Sequence, residues 1–187
     1  MESSDRVNLL YLQQDMSTGR SHSIDQCSGA AGQPFALIAP DHGGLRLVAV
    51  DAAAAAEGLS PGLTLADARA LLPSLSVADA DPAADAAALA MLADWCGRYT
   101  PWAATDGDDG LRLDITGSAH LFGGEAAMLT EILRRFSGFG IAARAAIADT
   151  PAAAWAWVRH GDAAAPILPA GQGRARLLAL PVGALHL

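Results

Sequence analysis

Ten consecutive residues, Asp108-Asp109-Gly110-Leu111-Arg112-Leu113-Asp114-Ile115-Thr116-Gly117, constrain the fold more than any other stretch of the chain. Leu111, Leu113 and Ile115 alternate with Arg112 and Asp114, the period of a strand with one face on a core. Asp108-Asp109-Gly110 supplies turn chemistry ahead of that strand. With Thr100 to Thr105 upstream the pattern predicts two paired strands meeting at an acidic turn. Acids at a hairpin tip are also where a two-metal phosphoryl-transfer site can be built, and such a site takes two or three converging carboxylates. The hairpin offers Asp108, Asp109 and Asp114, but Gly110 stands where one more acid would help most. The plainer reading of these acids is a solvated turn.

Helix and strand signals flank the hairpin in a regular order. Arg6 to Leu12 reads as a strand, and residues 15–33 as a polar loop. Pro34 to Ala39 and Leu45 to Val50 are strands joined by the turn Pro40-Asp41-His42-Gly43-Gly44. Asp51 caps an alanine-rich helix that ends at Gly58, and Thr64 caps a second that ends at Pro73. Leu75 to Ala78 is extended. Asp81-Pro82 opens a helix reaching Arg98, with Leu89, Leu92, Ala93 and Cys96 as its apolar stripe. Beyond the hairpin, Glu125 begins an amphipathic helix to about Ser137, Ile141 to Ala148 is a strand, and Asp149 or Thr150 caps a helix opened by Pro151. In that helix the spacing turns Trp155 and Val158 inward and leaves Trp157 for a partner contact. A short helical piece follows near Arg174 to Leu180. With the stretch 34–78 set aside as an insertion, the order is βαββαβ: an α+β, ferredoxin-like arrangement with helices on one face of the sheet.

Composition excludes several classes. The net charge is −8 and every basic residue is arginine, so strong non-specific binding to nucleic acid by this segment is not expected. Without lysine there is no Schiff-base chemistry and no lysine clamp on a triphosphate. Cys27 and Cys96 are isolated from each other and from any histidine cluster, which argues against zinc and for reduced thiols. No stretch is long and apolar enough for a signal peptide or a membrane span, and the expected location is the cytoplasm.

Four ordered blocks then carry a resemblance: GLSPGLTLADARALLPSL at 58–75, the helix ending in Arg98-Tyr99-Thr100-Pro101, DGLRLDITGSAHLFGG at 109–124, and ARAAIADTPAAAWA at 143–156. Together they resemble the polymerase-like half of the Y-family (UmuC-type) translesion DNA polymerases, and within it the ImuB-type factors of bacterial mutagenesis cassettes. The resemblance implies a polymerase palm with a small α/β fingers insertion. It divides the chain into a first palm strand and loop (1–33), the fingers insertion (34–78), the palm (79–161), and a connector with the start of a thumb (162–187). The ending LPVGALHL reads as an element cut short.

Carried over position by position, the resemblance implies a degraded site. The family's first metal-binding Asp lies at the end of the first strand, at Leu12, where there is no carboxylate; Asp15 is the nearest. The paired Asp-Glu of the hairpin falls on Asp109 and Gly110, so one acid of two remains. The Asp of the following strand falls on Asp114, which is mainly structural in the family. Triphosphate-contacting positions fall on Ala52, Ala55 and Pro151, none of which can contact a phosphate through a charge. The expectation is a non-catalytic, cofactor-free polymerase-like adaptor in DNA repair and damage-induced mutagenesis. The implied partners are a sliding clamp, a RecA-like accessory protein and an error-prone replicative-type polymerase, with weak DNA contact.

Two other readings compete. One is an active nucleotidyltransferase using Mg²⁺ held by Asp108, Asp109 and Asp114 in a shifted arrangement. The other is a nucleotidyl cyclase relative, suggested by Phe122-Gly123-Gly124-Glu125, although that tetrapeptide is placed to open a helix. Arg46, Arg69 and Arg98 are the candidate DNA contacts. His120 reads as a solvent-facing loop residue, and Arg134-Arg135 as a solvated helix face with charge suited to a helix C-terminus.

Overall fold

A computed structural model describes residues 9–14 and 33–181. The predicted loop at 15–33 therefore lies almost wholly outside the described residues, as do Arg6 to Asn8, Asp15 and Cys27. Contacts divide the chain into two compact units, residues 1–14 with 87–187, and residues 15–86.

The first unit holds a four-stranded sheet of β1 (Leu9–Gln14), β5 (Ala103–Asp106), β6 (Gly110–Asp114) and β7 (Ala143–Ala148). Its order is β5-β6-β1-β7 and every neighbouring pair is antiparallel. That is the ferredoxin-like order expected. α3 (Pro82–Cys96) connects β1's side of the chain to β5, and α4 (Glu125–Gly138) connects β6 to β7. The alternation in β6 holds: Leu111, Leu113 and Ile115 are buried and Arg112 is exposed. They meet Leu10, Leu12, Ala145 and Ile147 from the neighbouring strands, and Leu89, Ala93 and Cys96 from α3. Met128, Leu129, Ile132 and Phe136 of α4 complete this core.

The helices do not all lie on one face. Ala146 and Ala148 point away from Ala145 and Ile147, because successive side chains of a strand alternate. They form a second core with Ala153, Ala154, Trp157 and Val158 of α5 (Pro151–His160) and with Leu168. α5 therefore covers the opposite face, beside β7 and β1. Thr150 caps it through its side chain, accepting from the Ala153 amide at 3.2 Å, and Pro151 fills its first turn. The outer edge of β7 is covered by the segment 166–168, where the Ile147 amide donates to the Pro166 carbonyl at 2.9 Å and the Leu168 amide to the Ile147 carbonyl at 2.9 Å. α6 (Gly173–Leu177) follows.

The second unit is a three-stranded sheet, ordered β3-β2-β4, of β2 (Phe35–Asp41), β3 (Gly44–Val50) and β4 (Ser76–Asp79). β2 and β3 form the predicted hairpin; β4 returns parallel to β2 after α1 (Ala52–Ala56) and α2 (Leu65–Leu71). Both predicted caps are present: Asp51 accepts from the Ala54 amide at 2.7 Å and Thr64 from the Asp67 amide at 3.1 Å. Ala36, Ile38, Leu47, Ala54, Leu59, Ala68 and Leu75 make the core of this unit. No helix among the described residues is long and apolar enough to cross a membrane.

Candidate functional site

Strand register gathers the candidate acids, or fails to. Leu12 lies opposite Leu111, and Gln13 lies opposite both Gly110 on β6 and Arg144 on β7. The end of β1, the start of β6 and the start of β7 therefore share one end of the sheet, and Asp109, one residue before Gly110, stands there. Leu12 is 2% exposed and belongs to the core under α3 and α4. Asp114 pairs with Leu9 at the other end of the sheet. Four strand steps take β6 from Gly110 to Asp114, about 14 Å at the usual strand rise. The structure thus corrects the grouping of Asp108, Asp109 and Asp114 into one shifted site. Asp114 instead closes the turn after β6: its Oδ1 accepts from the Thr116 amide at 2.9 Å, and its carbonyl accepts from the Thr100 hydroxyl.

Asp109 is engaged from within the protein. Its Oδ1 accepts from Nη2 of Arg159 at 2.6 Å, and the two side chains are only 27% and 15% exposed. Arg159 comes from the last turn of α5. Topology explains the meeting: α5 follows β7 and turns back along it, so the helix ends where β7 begins, next to Gly110. The Arg159 guanidinium also lies over the Trp155 ring, 4.3 Å from its centre. Arg144, at the start of β7, donates to the carbonyls of Arg159 at 3.2 Å and Gly161 at 3.1 Å, satisfying acceptors that the helix end would otherwise leave open. Neither Arg144 nor Arg159 was singled out in the sequence. The available signal was a basic residue in the last turn of the helix after the last strand, and only the topology points it at the hairpin.

A pair of divalent cations does not fit this donor set. Among the described residues no group of three His, Cys, Asp or Glu side chains is placed to hold a metal ion. Asp108 is exposed on the turn, Leu12 is core, and Gly110 has no side chain. Hard divalent ions need several oxygen ligands, and two-metal chemistry needs acids bridging ions about 4 Å apart.

The remaining candidates are placed as follows. Ala52 and Ala55 lie exposed on α1, whereas Ala54 is buried; Pro151 is exposed at the start of α5. Arg46 is held locally, 3.0 Å from Asp41 and donating to the Gly62 carbonyl at 2.8 Å. Arg69 is exposed on α2. Arg98 is exposed and stacks over Trp95 at 4.0 Å. His120 is exposed in a single 3-10 turn (Ala119–Phe122), as read from sequence. Gly123 and Gly124 follow with φ of 84° and 102°, and Glu125 opens α4, so the Gly-Gly pair is a helix entry and not a hairpin tip. The two tryptophans of α5 exchange the roles expected of them. Trp157 is 8% exposed and its indole donates to the Ala165 carbonyl at 2.8 Å, while Trp155 is only partly buried beneath Arg159. Sequence spacing also gave no sign of a groove of about 560 Å³ beside the N-terminus of α5, lined by Asp149, Thr150, Ala153, Arg174, Leu177 and Leu180 among others.

Comparison with known proteins agrees with this architecture. Solved structures titled as the insertion ternary complex of Dbh DNA polymerase and as DinB from Sulfolobus solfataricus match 96% of the chain, with TM-scores of 0.77 and 0.73. Each match covers about half of the solved chain, 54% and 53%, at 11% identity, a level that speaks for the fold alone: the palm-and-fingers part of a Y-family polymerase. Protein ImuB from two strains of Caulobacter vibrioides, NA1000 / CB15N and ATCC 19089 / CIP 103742 / CB 15, is 58% identical over 130 residues. That alignment takes in 70% of this chain and 28% of each relative, so the chain spans well under half the length of the curated relatives it matches. The model of the impB/mucB/samB family matches residues 28–159, more than half of the chain, and the chain belongs to that family.

Proposed function

We propose that this chain is the palm-and-fingers part of a non-catalytic, polymerase-like adaptor in DNA-damage-induced translesion mutagenesis. In this reading the sheet β5-β6-β1-β7 belongs to the palm, residues 34–78 are the fingers insertion, and the stretch from residue 162 leads toward a thumb. One observation carries the reading. At the sheet end shared by Gln13, Gly110 and Arg144, Asp109 lies against an arginine, and the next acid of its strand is at the far end. Positioned charges of this kind supply orders of magnitude in rate to phosphoryl transfer, so their loss removes the chemistry and leaves the scaffold. The high identity to Protein ImuB supports assigning the scaffold to mutagenesis.

The adaptor would act in the cytoplasm beside a sliding clamp, a RecA-like accessory protein and an error-prone replicative-type polymerase. Template contact would be weak and made through exposed arginines such as Arg69 and Arg98. Primer extension by the full-length protein tests the reading. No incorporation with Mg²⁺ or Mn²⁺, together with loss of damage-induced mutagenesis when the gene is deleted, is expected. Metal-dependent dNTP incorporation that disappears in Asp109→Asn would overturn it.

A further inference from the structure

We propose that Arg159 is the built-in counter-cation of Asp109, and that the pair is a latch fastening the β5–β6 hairpin to the end of α5. The two residues are 50 positions apart in sequence, yet their charged atoms are 2.6 Å apart and both side chains are largely withdrawn from water. A guanidinium offers a planar fork of donors that matches a carboxylate, which suits arginine to this position.

Trp155, Asp109 and Arg144 each help to fix the arginine. Trp155, one helical turn earlier, offers its ring face at 4.3 Å. Asp109 takes Nη2. Arg144 holds the backbone of the turn from which Arg159 projects, through the carbonyls of Arg159 and Gly161. Arg144 itself belongs to β7, opposite Gln13. The latch therefore ties together β1's neighbours on both sides, the hairpin through Asp109 and β7 through Arg144, by way of one helix end. A divalent ion approaching Asp109 would have to displace a largely withdrawn guanidinium and break a charge pair that is mostly shielded from water, which is costly. The arginine thus does for Asp109 what cations do for the acids of a metal-binding palm: it balances the carboxylate and lets it be packed.

The test uses the full 187-residue chain with Asp109→Asn, Arg159→Met, Arg159→Lys and the double variant Asp109→Asn/Arg159→Met. Each of Asp109→Asn and Arg159→Met is expected to lower the thermal midpoint by about 5 °C, the double variant no more than the worse single, and Arg159→Lys less than Arg159→Met. Hydrogen exchange should quicken at residues 107–111 in Arg159→Met and stay unchanged at the β2–β3 turn, His42-Gly43. Ten-millimolar (roughly, well above cellular free levels) Mg²⁺ should not raise the wild-type midpoint, since an ion that binds only the folded state would do so. Additive effects of the two single changes, midpoints within about 1 °C of wild type, or Mn²⁺ broadening centred on Asp109 in the wild-type protein would each overturn the latch. Those failures differ from failure of the adaptor reading, which is decided by nucleotide incorporation and not by the stability of this pair.

Discussion

Gln13 of β1 stands directly across from Gly110 of β6, with Asp109 the next residue at the same end of the sheet. Directly opposed residues of an antiparallel pair project to the same face. The register therefore sets positions 13 and 110 side by side, and the sequence supplies glutamine and glycine there, neither of them an acid.

Acids placed there should restore metal binding only in combination. Gln13→Asp and Gly110→Glu together with Arg159→Met would place three acids at one end without their internal cation. Mn²⁺ affinity by paramagnetic relaxation should rise at least about tenfold over any single change, which corresponds to about 1.4 kcal/mol of binding. An equal gain from Gly110→Glu alone would show that the missing partner on β1 is not what prevents binding.

Trp157 is expected to be the most costly aromatic of α5 to truncate. Trp157→Ala removes a buried ring and its hydrogen bond to the Ala165 carbonyl, a loss of about 3–5 kcal/mol in chemical denaturation. Trp155→Ala, which uncovers a partly exposed ring, should cost clearly less. The reverse ranking would contradict the burial described for α5.

Gly161 is required by that same ring. A methyl group there would sit 2.4 Å from Trp157 Cδ2 and 2.6 Å from the Trp157 carbonyl oxygen. Gly161→Ala should therefore destabilise by about 1–3 kcal/mol through overpacking. Gly138→Ala is the control: nothing lies within 4 Å of a methyl group there, and alanine in that last helical position should hold or raise stability. Thermal melts of both variants check the pair.

Alkaline pH should weaken the fold through α3's end. Burial pushes the Cys96 thiol up to about 12 from 9.0, and burial, aided by Glu131, raises Tyr99 as well. Both groups are protonated and neutral in the fold at pH values where the unfolded chain begins to ionise. Their stabilisation is thus complete below pH 9 and is lost as pH climbs toward 12. At pH 10.5 the Cys96 contribution alone should be down by about 2 kcal/mol relative to pH 8. No lysine titrates in this window, so urea melts at the two pH values read the cysteines and tyrosines together. Cys96→Ala should flatten the slope; an unchanged slope would assign the loss elsewhere.

Local chemistry made much of the fold legible. The alternation at Leu111, Leu113 and Ile115 named a half-buried strand, Asp51 and Thr64 announced helix starts that the backbone confirms, and of the two caps open for α5, Asp149 and Thr150, the backbone takes Thr150. The absence of acids at Leu12 and Gly110 could be read directly. What could not be read was anything decided by two distant segments meeting. Periodicity alone cannot say that α5 is walled on one side by β7 and on another by the segment around Leu168, which widens its buried face and draws Trp157 in. Nor can it say that Asp109 and Arg159 form an ion pair, because that depends on which end of the sheet a helix returns to. Asp114 looked like a third acid for the same reason: its distance along the strand matters only once the direction of the site is known.

β1 lies in the middle of its sheet, between β6 and β7, although it is the first strand among the described residues. During synthesis it must wait unpaired while more than ninety later residues emerge, since its earliest partner begins at Gly110 and its other at Ala143. Such long-range pairing is slow, and a waiting apolar strand is exposed to wrong partners. Meanwhile the unit of residues 15–86 holds its own sheet and core and need not wait. Nascent chains arrested before residue 143 should therefore carry a formed inner unit and an open sticky edge, which makes this half of the molecule the step at which a chaperone has most to do.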